Sequence, residues 1–147
     1  MKIAKVIATF FGIGYCPIAS GTAGSLAAVV LCYFLDLSSA VNVSIFFAVL
    51  LIGIWASGVV EKESGETDPS CVVIDEVAGM MIACFLLPKT ILFYAAAFFL
   101  FRFFDITKIY PIKSFEKLPG GWGVMMDDVV AGLMTNFVLM FTINVFF

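Results

Sequence analysis

Three short segments hold most of the groups in this chain that could do chemistry: Asp75-Glu76, the run Arg102–Asp105–Lys108, and Asp127-Asp128. Charge is scarce elsewhere, since Asp, Glu, Lys and Arg make up only 13% of the 147 residues. Carboxylates gathered in apolar surroundings repel one another and take up protons unless cations hold them. Arg102 and Lys108 are candidate cations, and a bound divalent metal is another. An all-oxygen cluster without imidazole or thiolate suits Mg2+, with Mn2+ or Ca2+ behind it.

Helical spacing divides the labour among these groups. Asp127 and Asp128 point about 100° apart on a helix, so they need not share a target. Asp128 lies four residues before Gly132 and Asp75 four before Gly79, which puts each glycine on the face of its acid, one turn deeper. Small residues there allow close helix approach and would bring the two acids together; packing alone is the plainer reading of the same glycines. Arg102 and Asp105, three apart, share a face. They read either as an intrahelical ion pair or as a phosphate ligand beside a metal ligand or base. The loop "GIGYCPIASGTAGSL" (12–26) precedes a helix and offers small residues and donors, Ser20, Gly21, Thr22 and Ser25. Free N–H groups at a helix start bind anions. The same composition also eases packing.

Several chemistries are absent. With no histidine in the chain, a Ser-His-Asp triad, a histidine-type zinc site and a histidine phosphatase are excluded. Cys16, Cys32, Cys71 and Cys84 form no CxxC pair, and none is followed by arginine six residues on, so a thiolate phosphatase loop is not supported. A net charge of −3 gives no bulk attraction to nucleic acid.

The elements that must position these groups are apolar. Hydrophobic residues are 63% of the chain and mean hydropathy is +1.12, against about 45–50% apolar in soluble domains. One integral membrane domain over 1–147 is expected, all-α, a bundle of about five spans with a short N-terminal interfacial helix. The stretches are 21–35, 43–60, 69–87, 90–107 and 124–147. The third reaches a spanning length if Asp68 caps a helix that starts at Pro69. "VIATFFGIG" after Lys2 and Lys5 is short for a signal peptide, and Tyr15-Cys16-Pro17 is a poor cleavage site, so no cleavage is expected.

With the N-terminus cytoplasmic, Lys2, Lys5, Lys62, Lys108, Lys113 and Lys117 fall inside and only Lys89 outside, as the positive-inside rule favours. The acids, Arg102 and the glycine-rich loop then meet at the cytoplasmic leaflet, while Asp36 and Lys89 interrupt the opposite one. "EKESGETD" (61–68) reads as a solvated loop, and "KSFEKLPGGWG" (113–123) as a connection with a turn at Pro119-Gly120 whose lysines and Trp122 attend headgroups. Acids for Mg2+, cations for phosphate and a position at headgroup depth point to phosphoryl chemistry on a lipid, with hydrolysis and transfer both open.

The blocks "GIGYCPIASGTAGSLAAV" (12–29), "VVIDEVAGMMI" (72–82) and "FRFFDITKIYPI…GGWGVMMDDVVAG" (101–132) resemble, in order, those of the phosphatidylglycerophosphatase A family of magnesium-dependent bacterial lipid phosphatases. The resemblance covers about half the chain, and its third block is the most specific. Two positions depart from the family pattern: a lysine-proline pair reads Lys108-Ile109, and a proline before Gly-Thr reads Ser20. The resemblance implies hydrolysis of phosphatidylglycerol phosphate to phosphatidylglycerol at the cytoplasmic face of the inner membrane, in phospholipid biosynthesis. The roles expected are Asp75, Glu76, Asp127 and Asp128 as Mg2+ ligands, and Asp105, Glu76 or Asp127 as catalytic acid or base. Arg102, Lys108, Thr22, Gly21 and Ser25 are expected to hold the phosphate. Direct attack by water is favoured over a phosphoaspartate, because no DxD motif occurs. The rivals are a small cation channel or transporter, which would spread polar groups through the membrane's depth, and a non-enzymatic membrane subunit, which would not need acids and bases gathered in one place. Oligomeric state is not expressed in the sequence.

Overall fold

The computed structural model describes residues 2–35 and 39–146, and these are all-helical with no strand among them. The helices are α1 (Lys2–Ala8), α2 (Ser20–Phe34), α3 (Ser39–Ser64), α4 (Ile74–Ala83), α5 (Ile91–Thr107), α6 (Ile112–Phe115) and α7 (Gly121–Phe146), with a 3-10 turn at Ile13–Tyr15. The expectation for Asp36 falls outside the described residues.

Four of the five hydrophobic stretches coincide with α2, α3, α5 and α7, and the third holds the shorter α4. Contacts at one end tie together the starts of α2, α4 and α7 and the ends of α3 and α5. Ser20 Oγ donates to the Ser70 carbonyl at 2.6 Å, Lys5 pairs with Glu63 at 3.1 Å, and Lys108 pairs with Asp127 at 2.9 Å. The expected gathering of polar segments at one end is therefore present. The N-terminal helix is present as well: Ala4 and Ala8 are fully buried, and α1 packs on α3.

Among the described residues, only α3 and α7, at 26 residues each, are long and apolar enough to cross a membrane. Both keep an apolar face outward, with Phe47, Leu51 and Trp55 exposed on α3 and Leu133, Phe137 and Phe141 on α7. The core helix of a soluble protein would bury such a face.

The third stretch departs from expectation. Its helix begins at Ile74 rather than Pro69 and has 10 residues. That rises about 15 Å, half of a hydrocarbon core of about 30 Å. Asp68 sits at φ +54°, outside the conformation of a helix cap. The backbone between it and α4 is committed elsewhere. Val73 N–H donates to the Ala8 carbonyl at 2.9 Å, and the Ser70 carbonyl receives Ser20. The helix that results is central: Ile74 to Met80 are all buried, and α4 packs on α2, α3, α5 and α7. Its N-terminal approach is pinned by these bonds, with Val72 and Val73 buried.

α4 and α7 cross at the two glycines that follow the acids. A Cβ on Gly132 would collide with the Gly79 carbonyl, and one on Gly79 would meet the Asp128 carbonyl at 2.7 Å. α7 in turn crosses α3 at Gly121, where a Cβ would strike the Ile54 carbonyl. The expected turn is in place, with Gly120 at φ +60° immediately before α7.

Candidate active site

Asp75 and Glu76 occupy the first turn of α4, where the helix dipole favours negative charge. The Gly79–Gly132 crossing brings Asp128 of α7 against them. One carboxylate oxygen from each of Asp75, Glu76 and Asp128 lies within 4.8 Å of the others, and all three residues are buried. Asp127 turns elsewhere. Its Oδ2 accepts from Lys108 Nζ at 2.9 Å and its Oδ1 from the Asp128 N–H at 3.0 Å. The two adjacent acids therefore have different partners, as the 100° between them requires. The expected four-acid metal group becomes three converging carboxylates, with Asp127 held on Lys108.

Arg102, near the end of α5, is the hub of the other side. Its Nη1 lies 2.6 Å from Asp105 Oδ2 and 3.8 Å from Glu76 Oε1, and donates to Ser25 Oγ at 3.4 Å. The intrahelical pair with Asp105 is thus real, and so is the link from Arg102 to the acid group.

The glycine-rich loop ends on the same spot. Its last turn forms the start of α2, whose N-cap, Ala19, has φ +50° and supplies no side-chain cap. The N–H groups of that turn are the donors an anion would use. Gly21 packs directly on Glu76: a Cβ there would collide with Glu76 Oε1 and stand 3.2 Å from Arg102 Nη1. Thr22 shares this turn and is half-buried. Ser25 differs from expectation. It is fully buried, and its hydroxyl donates to the Gly21 carbonyl at 2.8 Å while receiving Arg102. It supports the guanidinium and does not face outward as a ligand.

α5 stops at Thr107, and Lys108 takes the left-handed C-cap conformation with φ +44°. That turn off the helix aims its ammonium at α7. Partial desolvation pulls the Lys108 ammonium down, but its bonds to Asp127 and Glu116 outweigh this and raise its pKa above the ordinary lysine value. Glu116, 3.1 Å from Lys108, is a partner that sequence reasoning misses. Its only signal is an acid set between Lys113 and Lys117 in an otherwise basic connection.

Charge does not balance here. Asp75, Glu76, Asp105, Asp127 and Asp128 face Arg102 and Lys108. Among the described residues, the buried side-chain atoms without a hydrogen-bond partner are Asp75 Oδ1, Glu76 Oε2, Arg102 Nε and, on α3, Ser57 Oγ. Three of these four lie at this site. Orphaned carboxylate oxygens beside a third carboxylate fit a hard divalent cation. An orphaned guanidinium N–H beside them fits an anion.

Residues 6–143 match the family model for phosphatidylglycerophosphatase A. A Bacteroides thetaiotaomicron protein, provisionally named a phosphatidylinositol-3-phosphatase, is 42% identical over 87% of this chain and 86% of its own. The phosphatidylglycerophosphatase A of Escherichia coli K12 is 35% identical over 92% of this chain and 81% of its own. That of Haemophilus influenzae is 38% identical over 87% and 81%. No solved structure matches the chain significantly. The chain belongs to the phosphatidylglycerophosphatase A family, a family of phosphatases.

Proposed function

We propose that the protein hydrolyses the terminal phosphomonoester of phosphatidylglycerol phosphate to phosphatidylglycerol and inorganic phosphate, with Mg2+, at the cytoplasmic face of a bacterial inner membrane. One observation carries the reading. Three buried carboxylates converge within 4.8 Å, beside an arginine and an uncapped helix start, at one end of an apolar bundle. A cation channel would want its acids along the depth of the bundle, and a structural subunit has no use for orphaned buried charge. The lysine bias of the loops supports a cytoplasmic site and a multi-pass chain. Five crossings remain the reading of the five alternating helices, with α4 as a short central one.

In this reading Asp75, Glu76 and Asp128 would hold the Mg2+, which would supply positive charge beside the phosphate. Arg102, fixed by Ser25 and Asp105, binds the phosphate together with the N–H groups of Gly21 and Thr22. Asp105 takes the proton of the attacking water. The water oxygen bonds to phosphorus, the P–O bond to the glycerol headgroup breaks, and Asp105 passes the proton it took to the leaving glycerol oxygen. Lys108 pairs with Asp127 and adds positive charge at the rim.

Phosphate release from purified protein tests this, with phosphatidylglycerol phosphate and phosphatidylinositol 3-phosphate as substrates, in Mg2+ or in EDTA. Mg2+-dependent release from the first lipid is expected. Release from the second alone would move the substrate to the one named for the Bacteroides relative. No release from folded protein with either lipid would end the phosphatase reading for this chain.

A further inference from the structure

Between α2 and α5 runs a groove of about 330 Å3 in which the only polar side chains are two tyrosines. Leu26, Val30 and Phe34 form one wall, and Ala95, Phe98 and Phe99 the other. Tyr33 and Tyr94 meet edge to face across it, with ring centroids 5.3 Å apart. The groove is open to the side: Leu26, Val30, Phe34 and Phe99 are exposed, while Val29 and Tyr94 are buried at its floor.

Its mouth is continuous with the phosphate end. The same two helices are joined there by the Arg102–Ser25 hydrogen bond of 3.4 Å. Leu26 follows Ser25 directly, and Phe98 and Phe99 lie one turn before Arg102, on its face. From Leu26 to Phe34 the groove is about 12 Å long. That length and the largely apolar lining suit an extended hydrocarbon chain, and the volume is far below that of a helix of equal length, about 10–12 Å across.

We propose that this groove seats one acyl chain of the phospholipid whose phosphate is held at Arg102. The inference rests on the lipid phosphatase reading and adds to it a residue set that positions the substrate. Ala95 gives the groove its depth, since it is the smallest side chain in the lining. It is exposed, so enlarging it does not disturb the core.

The test is photolabelling of the 147-residue chain in lipid nanodiscs. One probe is phosphatidylglycerol phosphate with a diazirine midway along one acyl chain; the other is phosphatidylcholine with the same diazirine. The phosphate-bearing probe is expected to label the α2 and α5 groove in preference to the outward faces of α3 and α7, and Ala95→Phe to deplete that label. Phosphatidylcholine should label all faces alike. Equal labelling of the groove by both probes would mean bulk lipid only and would overturn the proposal. Phosphate release is followed in parallel. Ala95→Phe should raise KM for the long-chain lipid about tenfold with kcat unchanged, the effect of roughly two methylenes losing their contacts. An unchanged KM would also overturn it. Selective groove labelling without any phosphate release would leave the groove standing and remove the hydrolase reading. Release without selective labelling would do the reverse.

Discussion

At the far end of the bundle, Asn136 donates to the carbonyls of Ala83 and Phe85 at 3.3 and 2.7 Å, and Lys89 to that of Leu35 at 3.0 Å. A cavity of about 390 Å3 opens there, lined among others by Cys32, Phe46, Lys89, Tyr94 and Asn136. At the near end, Asp75 Oδ1, Glu76 Oε2 and Arg102 Nε are buried without a partner. Space thus lies at the far end and unmet charge at the near one. Helix ends that merely stop have their carbonyls answered by nearby side chains. An end that leaves carboxylate oxygens and a guanidinium N–H unanswered carries a cost for each unless a ligand supplies the missing partner. Unmet charge therefore locates the chemistry, and room by itself does not.

Substitutions at the two ends should differ accordingly. Asp128→Asn or Asp75→Asn should lower kcat about a thousandfold, the upper range for removing one preorganised electrostatic group. Mg2+ binding measured by calorimetry should weaken in parallel. Near wild-type turnover in folded protein would dissolve the distinction between the ends. Arg102→Lys comes next, with a loss of about a hundredfold in phosphate release, because an ammonium has no Nε–H to offer the phosphate while one nitrogen stays on Asp105 and Ser25. An Arg102→Lys variant as fast as wild type would make the guanidinium a structural tie only.

Lys108→Met should cost about tenfold in kcat and lower thermal stability, since Asp127 is left buried and unpaired. Adding Asp127→Asn should restore much of the stability without restoring the rate. If the double variant is no more stable than the single one, Lys108 does not serve Asp127. The smallest effect belongs to the far end. Asn136→Ala should lose about 1 kcal/mol per hydrogen bond in thermal unfolding and leave turnover within about twofold. A loss of activity like that of Asp128→Asn would mean that the two ends are coupled.

Much of the near end is legible in the sequence because its signals are local. Periodicity and charge scarcity set out the helices, and α5 and α7 begin and end close to the expected positions. The i,i+4 spacing of Asp75 to Gly79 and Asp128 to Gly132 anticipates the crossing that brings the acids together. The start of α4 defeats the same kind of reasoning. Asp68-Pro69 satisfies a local cap rule, while Val73 and Ser70 use their backbone groups on α1 and α2, far away in sequence. Ser25 reads as a ligand, because its hydroxyl is indistinguishable in sequence from a free donor until Arg102 and the Gly21 carbonyl arrive on either side.

By itself the sequence determined which residue types are present, their helical registers, the apolar bulk that rules out an ordinary soluble core, and the absence of histidine chemistry. Those are properties of composition and of neighbours within a turn or two. Only the tertiary structure decided which carboxylates share a position. Asp127 and Asp128 are adjacent in the chain, yet Lys108 draws one and the α4 crossing takes the other. It also decided that α2 and α5 meet at Arg102 and leave a groove beyond it. Such pairings depend on helix crossings where one added Cβ would force the backbones apart, and no local pattern records which helix lies on the other side.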